Sequence, residues 1–187
     1  MVERKTDLRV LKTRNAIRNT FKEMIMEKKA SQITIKELME RAMIHRKTFY
    51  LHYTCIEALF EDIQSELSGK YYEVIDKVPE DAPFTEVNRV FFEFMAAQEP
   101  YMEKIVCDSS YQEFSDRFFM RTLQHNRSRH KPYASFSEGE QNIINTFLGV
   151  SSVNLYRQWV RDGKSVPLDD LITLSGKLFY TGVSSII

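Results

Sequence analysis

The chain has 187 residues, a length that favours a single domain or two small domains that share a core. With 43% hydrophobic and 28% charged residues, its composition is that of a globular protein and excludes a disordered chain. Basic and acidic residues number 26 each, which excludes a protein that is basic throughout, and two cysteines exclude a disulfide framework or a cysteine-built zinc cluster.

Glycine and proline are scarce, with 6 and 5 residues, so a turn-rich β protein is not expected. No apolar run approaches the roughly 18 residues that a membrane span needs. The first residues lack the apolar stretch of a secretory signal. These features predict an all-α protein that works in the cytoplasm and does not enter the membrane.

The balanced net charge hides an uneven distribution along the chain. Residues 1–60 contain 13 Lys and Arg against 7 Asp and Glu, so the remaining residues are acidic by the same margin. A basic first third on an acidic remainder favours a polyanionic partner for the first third. A lysine-rich solvated helix surface explains the same charge count equally well.

The first predicted helix covers residues 7–29. Its apolar residues recur at spacings of three and four, which places them on one face of a helix. They are Leu8, Leu11, Ile17, Phe21, Met24 and Ile25.

Two short helices are predicted next, at residues 35–41 and 46–53, separated by the four residues 42–45. Thr34 followed three residues later by Glu37 is the pattern of a capping box, which starts a helix by bonding its free amides. Two short helices joined by a tight turn and preceded by a longer helix are typical of a helix-turn-helix.

The rest of the chain is also predicted to be helical. Helices are expected at residues 56–77, 84–98, 101–106, 111–129 and 137–161, with a last one opening at Pro167; residues 78–83 and 130–136 are loops. A second capping box, Ser137 with Glu140, starts the helix at 137–161. The total is about nine helices, arranged as a three-helix N-terminal head and a C-terminal helical domain.

The segment from Thr34 to Tyr53 has the composition of a DNA-reading unit. Its apolar residues, Phe49 among them, supply a small core, which leaves cations and hydroxyls for the opposite side, where they suit phosphates and base edges. The predicted DNA-binding residues are Thr34, Lys36, His45, Arg46, Lys47, Thr48, Tyr50 and His52. Ordinary solvated charges and core tyrosines are the alternative; Tyr53 fits the core and Tyr50 a phosphate contact.

The string I-T-I-K-E-L-M-E-R-A-M-I-H-R-K-T-F-Y-L-H-Y resembles the N-terminal DNA-binding domain of TetR-family bacterial regulators. The usual pattern of that family is I-T-V-x-x-I-A-x-x-A-G-V-S-x-x-T-F/L-Y-x-H-F. The matching positions are Thr34, Ala42, Thr48, Phe49, Tyr50, His52 and Tyr53. The resemblance implies a DNA-binding domain at residues 1–55 and an effector-binding and dimerisation domain at residues 56–187.

Three positions depart from that pattern. Met43 stands where glycine is common, so the turn takes either a different backbone or a non-glycine residue in a tight conformation. His45 replaces the usual serine cap, and Cys55-Ile56 replaces a polar cap and a lysine often used on phosphate. We expect these departures to change affinity for DNA more than the fold.

The helix at 137–161 is apolar on more than one face, and the last helix is apolar too. A monomer would expose this surface, so we expect the two helices to form half of a four-helix dimer interface. The predicted interface residues are Phe147, Leu148, Ser151, Leu155, Tyr156, Trp159, Leu174 and Phe179. The alternative is that both helices simply cover the core of one chain.

Residues 84–130 are rich in phenylalanine, tyrosine and methionine. In the family that the chain resembles, this region encloses a small-molecule pocket, and methionine and phenylalanine suit a pliable apolar site. The predicted pocket residues are Phe91, Phe94, Met95, Tyr101, Met102, Tyr111 and Phe118. Residue by residue, core packing explains the same side chains.

The expected function is that of a ligand-responsive transcriptional regulator which binds double-stranded DNA as a homodimer, as a repressor or as an activator. We expect no cofactor, no metal site and no enzyme activity, and an unidentified small molecule as effector. An all-helical enzyme is disfavoured because the common catalytic motifs are missing from the sequence. A helical interaction module without sequence-specific DNA binding is the other alternative.

Overall fold

The computed structural model describes residues 8–129 and 135–182, and this part of the chain contains nine α-helices, two 3-10 turns and no strand. The expected all-α class is therefore confirmed. The helices are α1 (Leu8–Glu27), α2 (Ile35–Ala42), α3 (Arg46–Tyr50), α4 (Ile56–Ile75), α5 (Phe84–Ala96), α6 (Pro100–Cys107), α7 (Gln112–Arg129), α8 (Glu138–Arg161) and α9 (Leu168–Thr181). We call α1 to α3 the head and α4 to α9 the body.

Most helix boundaries agree with the prediction to within two residues, and α3 is the main exception. It ends at Tyr50 instead of residue 53, because the amides of His52 and Tyr53 both bond the carbonyl of Phe49 and close a turn. Most of the predicted loop at 130–136 lies outside the described residues. Among the described helices, none combines the length and the apolarity needed to cross a bilayer.

Only the second half of the apolar face predicted for α1 is buried. Ile17, Phe21 and Met24 are fully buried, whereas Leu8 is 72% exposed and Leu11 is 40% exposed. The helix packs against α2 and α6, and its buried residues all lie between positions 17 and 25. The first turns of α1 therefore extend past the core of the described chain, and Leu8 and Leu11 do not contribute to it.

The turn between α2 and α3 keeps the usual tight geometry although it has no glycine. Met43 adopts the left-handed conformation with φ 55° and ψ 40°, and its amide bonds the carbonyl of Glu40. The amide of Ile44 bonds the carbonyl of Met39 and closes the end of α2. Of the two possibilities that the sequence left open, the structure shows a non-glycine residue in a tight conformation.

The two predicted capping boxes differ in outcome. Ser137 and Glu140 form the complete reciprocal pair at the start of α8. At α2, the hydroxyl of Thr34 accepts a bond from the amide of Glu37, but the carboxylate of Glu37 bonds Lys28 and Arg41 instead of the cap. Of the two reciprocal bonds of a capping box, α2 therefore has only the one that Thr34 accepts.

Head and body share one continuous hydrophobic core. Phe21 of α1 meets Phe60 of α4 edge to face at 4.6 Å, and Phe60 stacks on Phe114 of α7 at 3.7 Å. Aromatic pairs of this kind add to the free energy gained by burial. The orientation of the head is thus tied to the positions of α4 and α7.

Replacing Met43 by glycine should stabilise the protein. A left-handed residue with a Cβ is strained, and Met43 is 93% exposed, so its side chain contributes little packing. After the greater flexibility of glycine in the unfolded chain is deducted, we expect Met43→Gly to raise the free energy of unfolding by about 0.5–1 kcal/mol. Urea denaturation measures the change. Met43→Ala is the control, because it keeps the Cβ; equal effects of both variants would contradict the backbone explanation.

Candidate nucleic-acid interface and internal cavity

The inner side of α3 is fixed by two aromatic residues. Phe49 is fully buried and Tyr53, just beyond the helix, is 6% exposed. Because adjacent residues of a helix point in different directions, Arg46, Lys47 and Tyr50 lie on the outer side, where all three are exposed. Tyr53 is therefore in the core, as predicted, and Tyr50 is exposed, where its predicted contact with phosphate stays a prediction.

The cations on α2 and α3 differ in whether they have an acidic partner. Within the described residues, Arg41 is paired, whereas Lys36 of α2 and both Arg46 and Lys47 of α3 are exposed and form no salt bridge. The guanidinium of Arg46 donates to the hydroxyl of Tyr50 at 3.1 Å and lies 5.7 Å from the centre of its ring. This contact holds Arg46 against the helix without neutralising its charge. The outer surface of α2 and α3 is thus positively charged.

The other predicted DNA-binding residues have less uniform positions. Thr34 is exposed, and its hydroxyl caps α2. His45 is exposed and makes no side-chain cap bond to α3. Thr48 and His52 are half-buried, and the ring of His52 lies 6.3 Å from that of Tyr53. All eight predicted residues belong to the α2–α3 segment, and none is fully buried.

Salt bridges attach α2 to the end of α1. Lys28 pairs with Glu37 at 2.5 Å, and Arg41 pairs with Glu27 at 2.7 Å and with Glu37 at 2.8 Å. The hydrogen bond from Lys28, followed by that from Arg41, lowers the pKa of Glu37 despite some desolvation. Glu27 and Glu37 are therefore paired with Lys28 and Arg41 and do not neutralise Lys36, Arg46 or Lys47.

A second charged cluster joins the head to α4. The hydroxyl of Tyr53 donates to Asp62 at 2.7 Å, and Asp62 also pairs with Arg14 and with Arg18. Burial, followed by the hydrogen bond to Asp62, raises the pKa of Tyr53 to about 12. At neutral pH the phenol is therefore protonated and can donate. We call Arg14, Arg18, Tyr53 and Asp62 the junction cluster.

The body contains a cavity of about 420 Å³ between α4, α5, α7 and α8. Its lining is mostly apolar, with four aromatic rings from α4, α5 and α7. The lining residues are Tyr71, Phe84, Val87, Asn88, Phe91, Asp116, Phe119, Met120, Thr122, Leu123, Asn126, Arg127, Asn145, Leu148, Gly149, Val150, Ser152, Val153, Asn154 and Arg157. Its size and its apolar wall are those of a small-molecule site.

Buried polar side chains in the cavity wall bond one another. The amide of Asn88 accepts from Ser152 of α8 at 2.9 Å and donates to Ser175 of α9 at 2.8 Å. The hydroxyl of Thr122 bonds carbonyls of its own helix. These groups are satisfied by the protein itself, and the Asn88 chain connects the cavity wall to α9.

The cavity corrects most of the predicted pocket residues. Phe91 lines it, but Phe94, Met95, Tyr101, Met102, Tyr111 and Phe118 are buried and are not part of its lining. Phe94 packs on the ring of Tyr71, and Phe118 packs on that of Phe119. Phe94 and Phe118 therefore pack against the rings that line the cavity without lining it themselves, because a helix turns only one of its faces to the cavity.

Tyr101 and Tyr111 have a different role from the one predicted. The hydroxyl of Tyr111 donates to the carbonyl of Lys28 at 2.6 Å, and the ammonium of Lys22 lies 4.6 Å from the ring centre of Tyr101. Lys22 also pairs with Glu99 at 2.7 Å. These contacts hold α1 against the region of α6, so both tyrosines belong to the contact between head and body.

The cavity residues that the sequence analysis missed lie mainly on α7 and α8, and those on α8 include Gly149, Val153 and Arg157. The signal for them was present, because α8 is apolar on more than one face, but that pattern had been interpreted as a dimer surface. A Cβ at Gly149 would lie 2.9 Å from Leu123, so the glycine permits the close approach of α8 to α7.

The predicted dimer residues divide into exposed and buried sets. Phe147 is 57% exposed and Leu174 43% exposed, and Ser151, Leu155 and Phe179 are half-buried. Leu148, Tyr156 and Trp159 are buried inside the single chain, and the indole of Trp159 donates to the carbonyl of Val166 at 2.7 Å. Their assignment to the interface is therefore corrected. The exposed apolar side chains of α8 and α9 are Ile143, Phe147, Val150, Leu174 and Tyr180.

Comparison with known proteins gives matches in structure only. No protein-family model matches the sequence, and no curated protein matches it. NalD, the secondary repressor of the MexAB-OprM multidrug efflux pump in Pseudomonas aeruginosa, superposes with a TM-score of 0.71 at 17% identity, over 92% of this chain and 96% of that chain. A TetR transcriptional regulator from Streptococcus agalactiae gives 0.69 at 20% identity over the same shares. The chain has a TetR-like fold.

A third solved structure with this TetR-like fold is the transcriptional regulator FadR from Bacillus subtilis in complex with stearoyl-CoA. It matches with a TM-score of 0.66 at 15% identity, over 90% of this chain and 98% of that chain. The likeness extends over head and body together.

In this TetR-like fold the junction cluster should make stability depend on pH. Desolvation opposes ionisation of Asp62, but bonds from Arg14 and Tyr53 outweigh it and lower its pKa below the usual 3.8. An acid with a lowered pKa stabilises the fold above its unfolded value and loses that effect as the pH falls through the folded value. Asp62→Asn should therefore be less stable than wild type at neutral pH, and the difference should vanish in strong acid.

Thermal unfolding at a series of pH values measures this difference. Asp169→Asn serves as the control, since its side chain is 88% exposed and lies 3.6 Å from Arg89. A gap between wild type and Asp62→Asn that stays constant down to the lowest pH would show that the carboxylate charge is not what stabilises the junction.

Proposed function

We propose that the protein is a transcriptional regulator that binds double-stranded DNA as a homodimer, with an affinity that a small molecule in the cavity modulates. The observation that carries the proposal is the outer surface of α2 and α3, where Lys36, Arg46 and Lys47 are exposed without an acidic partner. Exposed cations without acidic partners on two short helices are suited to contact with the phosphates and the groove of DNA.

The roles of the head residues follow from their positions. Residues 1–55 form the DNA-binding domain, with α3 in the major groove, where Arg46 and Lys47 can donate to guanine or to phosphate. Tyr50 bonds Arg46, which restricts the guanidinium before DNA arrives. The amides and hydroxyl at the start of α2, together with Lys36, suit a phosphate of the flanking backbone.

Residues 56–187 form the effector-binding and dimerisation domain. The exposed side chains Ile143, Phe147 and Val150 of α8, with Leu174 and Tyr180 of α9, give an apolar surface that a second copy can cover. A single head makes few base contacts, and a two-fold dimer reads two half-sites. Such a regulator would act in the bacterial cytoplasm, bound to the nucleoid.

Helix α4 is a candidate connection between effector and DNA. It carries Tyr71 in the cavity lining and Asp62 in the junction cluster, nine residues apart on one helix. A molecule that prefers one position of α4 would also favour one orientation of the head, and by reciprocity it would change the affinity for DNA. The complex of FadR with stearoyl-CoA and the repressor role named for NalD support such a scheme.

The first test is selection from a pool of random duplexes, followed by affinity measurements at several salt concentrations. We expect Lys47→Ala to weaken binding of the selected duplex by about 1 kcal/mol and to reduce the slope of log K against log salt by about 1, because one phosphate contact is lost. Lys70→Ala is the matched control: the same charge is removed from α4, where Lys70 pairs with Glu66.

Enrichment of no sequence over bulk DNA would contradict the proposal and would favour a helical interaction module. Equal losses for Lys47→Ala and Lys70→Ala would point to a general effect of net charge, and α3 would then not be the reading helix.

The dimer has a separate test. Phe147→Glu should convert the dimer to monomer, because it places a charge at the centre of the exposed apolar surface of α8. Val74→Glu, on an exposed position of α4, is the control and should leave the assembly unchanged. Sedimentation velocity reads the result. If Phe147→Glu stays dimeric, the interface lies elsewhere on the molecule.

A further inference from the structure

Three charged residues contribute to the cavity wall, and two of them form a pair. The guanidinium of Arg157 donates to the carbonyl of Val106 at 2.9 Å and to the buried hydroxyl of Ser115 at 3.0 Å, and it lies 3.6 Å from the carboxylate of Asp116. Arg157 is 19% exposed and Asp116 54% exposed, so the pair lies where the cavity wall meets solvent. Arg157 therefore donates two hydrogen bonds to protein oxygens and has an acidic partner for its charge.

The third charged residue, Arg127, is exposed and bonds the side chain of Asn142. Solvent screening makes an exposed cation a weak anchor for a ligand. Among the uncharged polar groups of the wall, Asn88, Thr122 and Ser152 are bonded within the protein. Asn126 donates to the hydroxyl of Tyr71 at 2.8 Å, but its side-chain oxygen is buried without a hydrogen-bond partner and can accept a bond from an uncharged donor. Asn145 and Asn154 are the other polar residues of the wall, and the rest is apolar, with rings from Phe84, Phe91 and Phe119.

We propose that the cavity binds an uncharged, predominantly apolar molecule, and that Asp116 sets this preference by neutralising Arg157. The inference rests on the proposed function in one respect: it takes the cavity to be the effector site. It goes beyond that function because it names the chemical class of the effector and a residue that determines the selectivity.

The physical reason is the cost of burying a charge without a partner. An anion in the cavity would meet a guanidinium that already donates to Val106 and Ser115 and whose charge is already opposed by Asp116. A cation would meet two arginines and a single carboxylate that is already paired. An uncharged ring loses little hydration and gains the contact with four aromatic side chains.

Three probes with the same ring test the charge preference: naphthalen-2-ylmethanol, 2-naphthoate and naphthalen-2-ylmethylammonium. Calorimetric titration of the intact protein without DNA gives the three affinities. We expect the uncharged alcohol to bind more than about tenfold tighter than either ion. An ion that binds as tightly as the alcohol, or an alcohol that does not bind, overturns the proposal.

Asp116→Asn tests the role of the carboxylate. It removes the charge that neutralises Arg157 while Val106 and Ser115 still hold the guanidinium. Affinity for 2-naphthoate should rise by about fivefold, the range of a partly exposed ion pair, while affinity for the alcohol stays the same. Glu113→Gln is the matched control. The carboxylate of Glu113 lies on the same helix, pairs with Arg117 and does not line the cavity. An unchanged ratio of naphthoate to alcohol in Asp116→Asn would show that Asp116 does not set the preference.

A third pair of variants locates the probe. Val153→Trp fills the cavity and should abolish binding of the alcohol, whereas Val74→Trp adds the same ring to an exposed position of α4 outside the lining and should not. Binding of the alcohol by a folded Val153→Trp would place the probe elsewhere and overturn the assignment. Probe binding is measured without DNA. Failure of the DNA-binding proposal would therefore appear only in the duplex selection, and failure of this proposal only in the probe affinities.

Discussion

Burial of Phe49 and Tyr53 decides which side of α3 the protein shows to its surroundings. With both rings inside, the neighbouring Arg46, Lys47 and Tyr50 have no position except the outer side. The left-handed turn at Met43 places α3 against α2 so that this burial is possible. The acidic residues Glu27 and Glu37 pair with Arg41 and Lys28, so neither neutralises the cations on the outer side of α3.

Polar contacts and a shared hydrophobic core attach the head to the body. Tyr53 and Asp62 connect α3 to α4, and Tyr111 connects the body to the end of α1. Phe21 and Phe60 fill the space between them. Since α4 also supplies Tyr71 to the cavity, the cavity and the head are in contact with the same rigid element. A shift of that helix is the simplest physical means by which the two regions can influence each other.

Helix α8 contacts the core, the cavity and the solvent with different faces. One face carries Tyr156 and Trp159 into the core, a second contributes Val153 and Arg157 to the cavity, and a third exposes Phe147. An apolar pattern that runs around most of a helix reflects such a position between several neighbours. The corrections to the predicted dimer and pocket residues both result from this shared use, because side chains assigned to one surface belong to another.

The sequence alone determined the helical class, the helix order and the head. Apolar spacing and capping residues act within a few positions of the chain, so Thr34, Ser137 and the outer placement of Arg46 and Lys47 could be predicted from it. The cavity could not. A phenylalanine in a packed core and one in a cavity wall have the same local signal, and only the packing of α4, α5, α7 and α8 separates Phe91 from Phe94 and Phe118. The tertiary structure likewise decided that Trp159 lies inside and that Asp116 meets Arg157, because both depend on which distant residues the fold brings together.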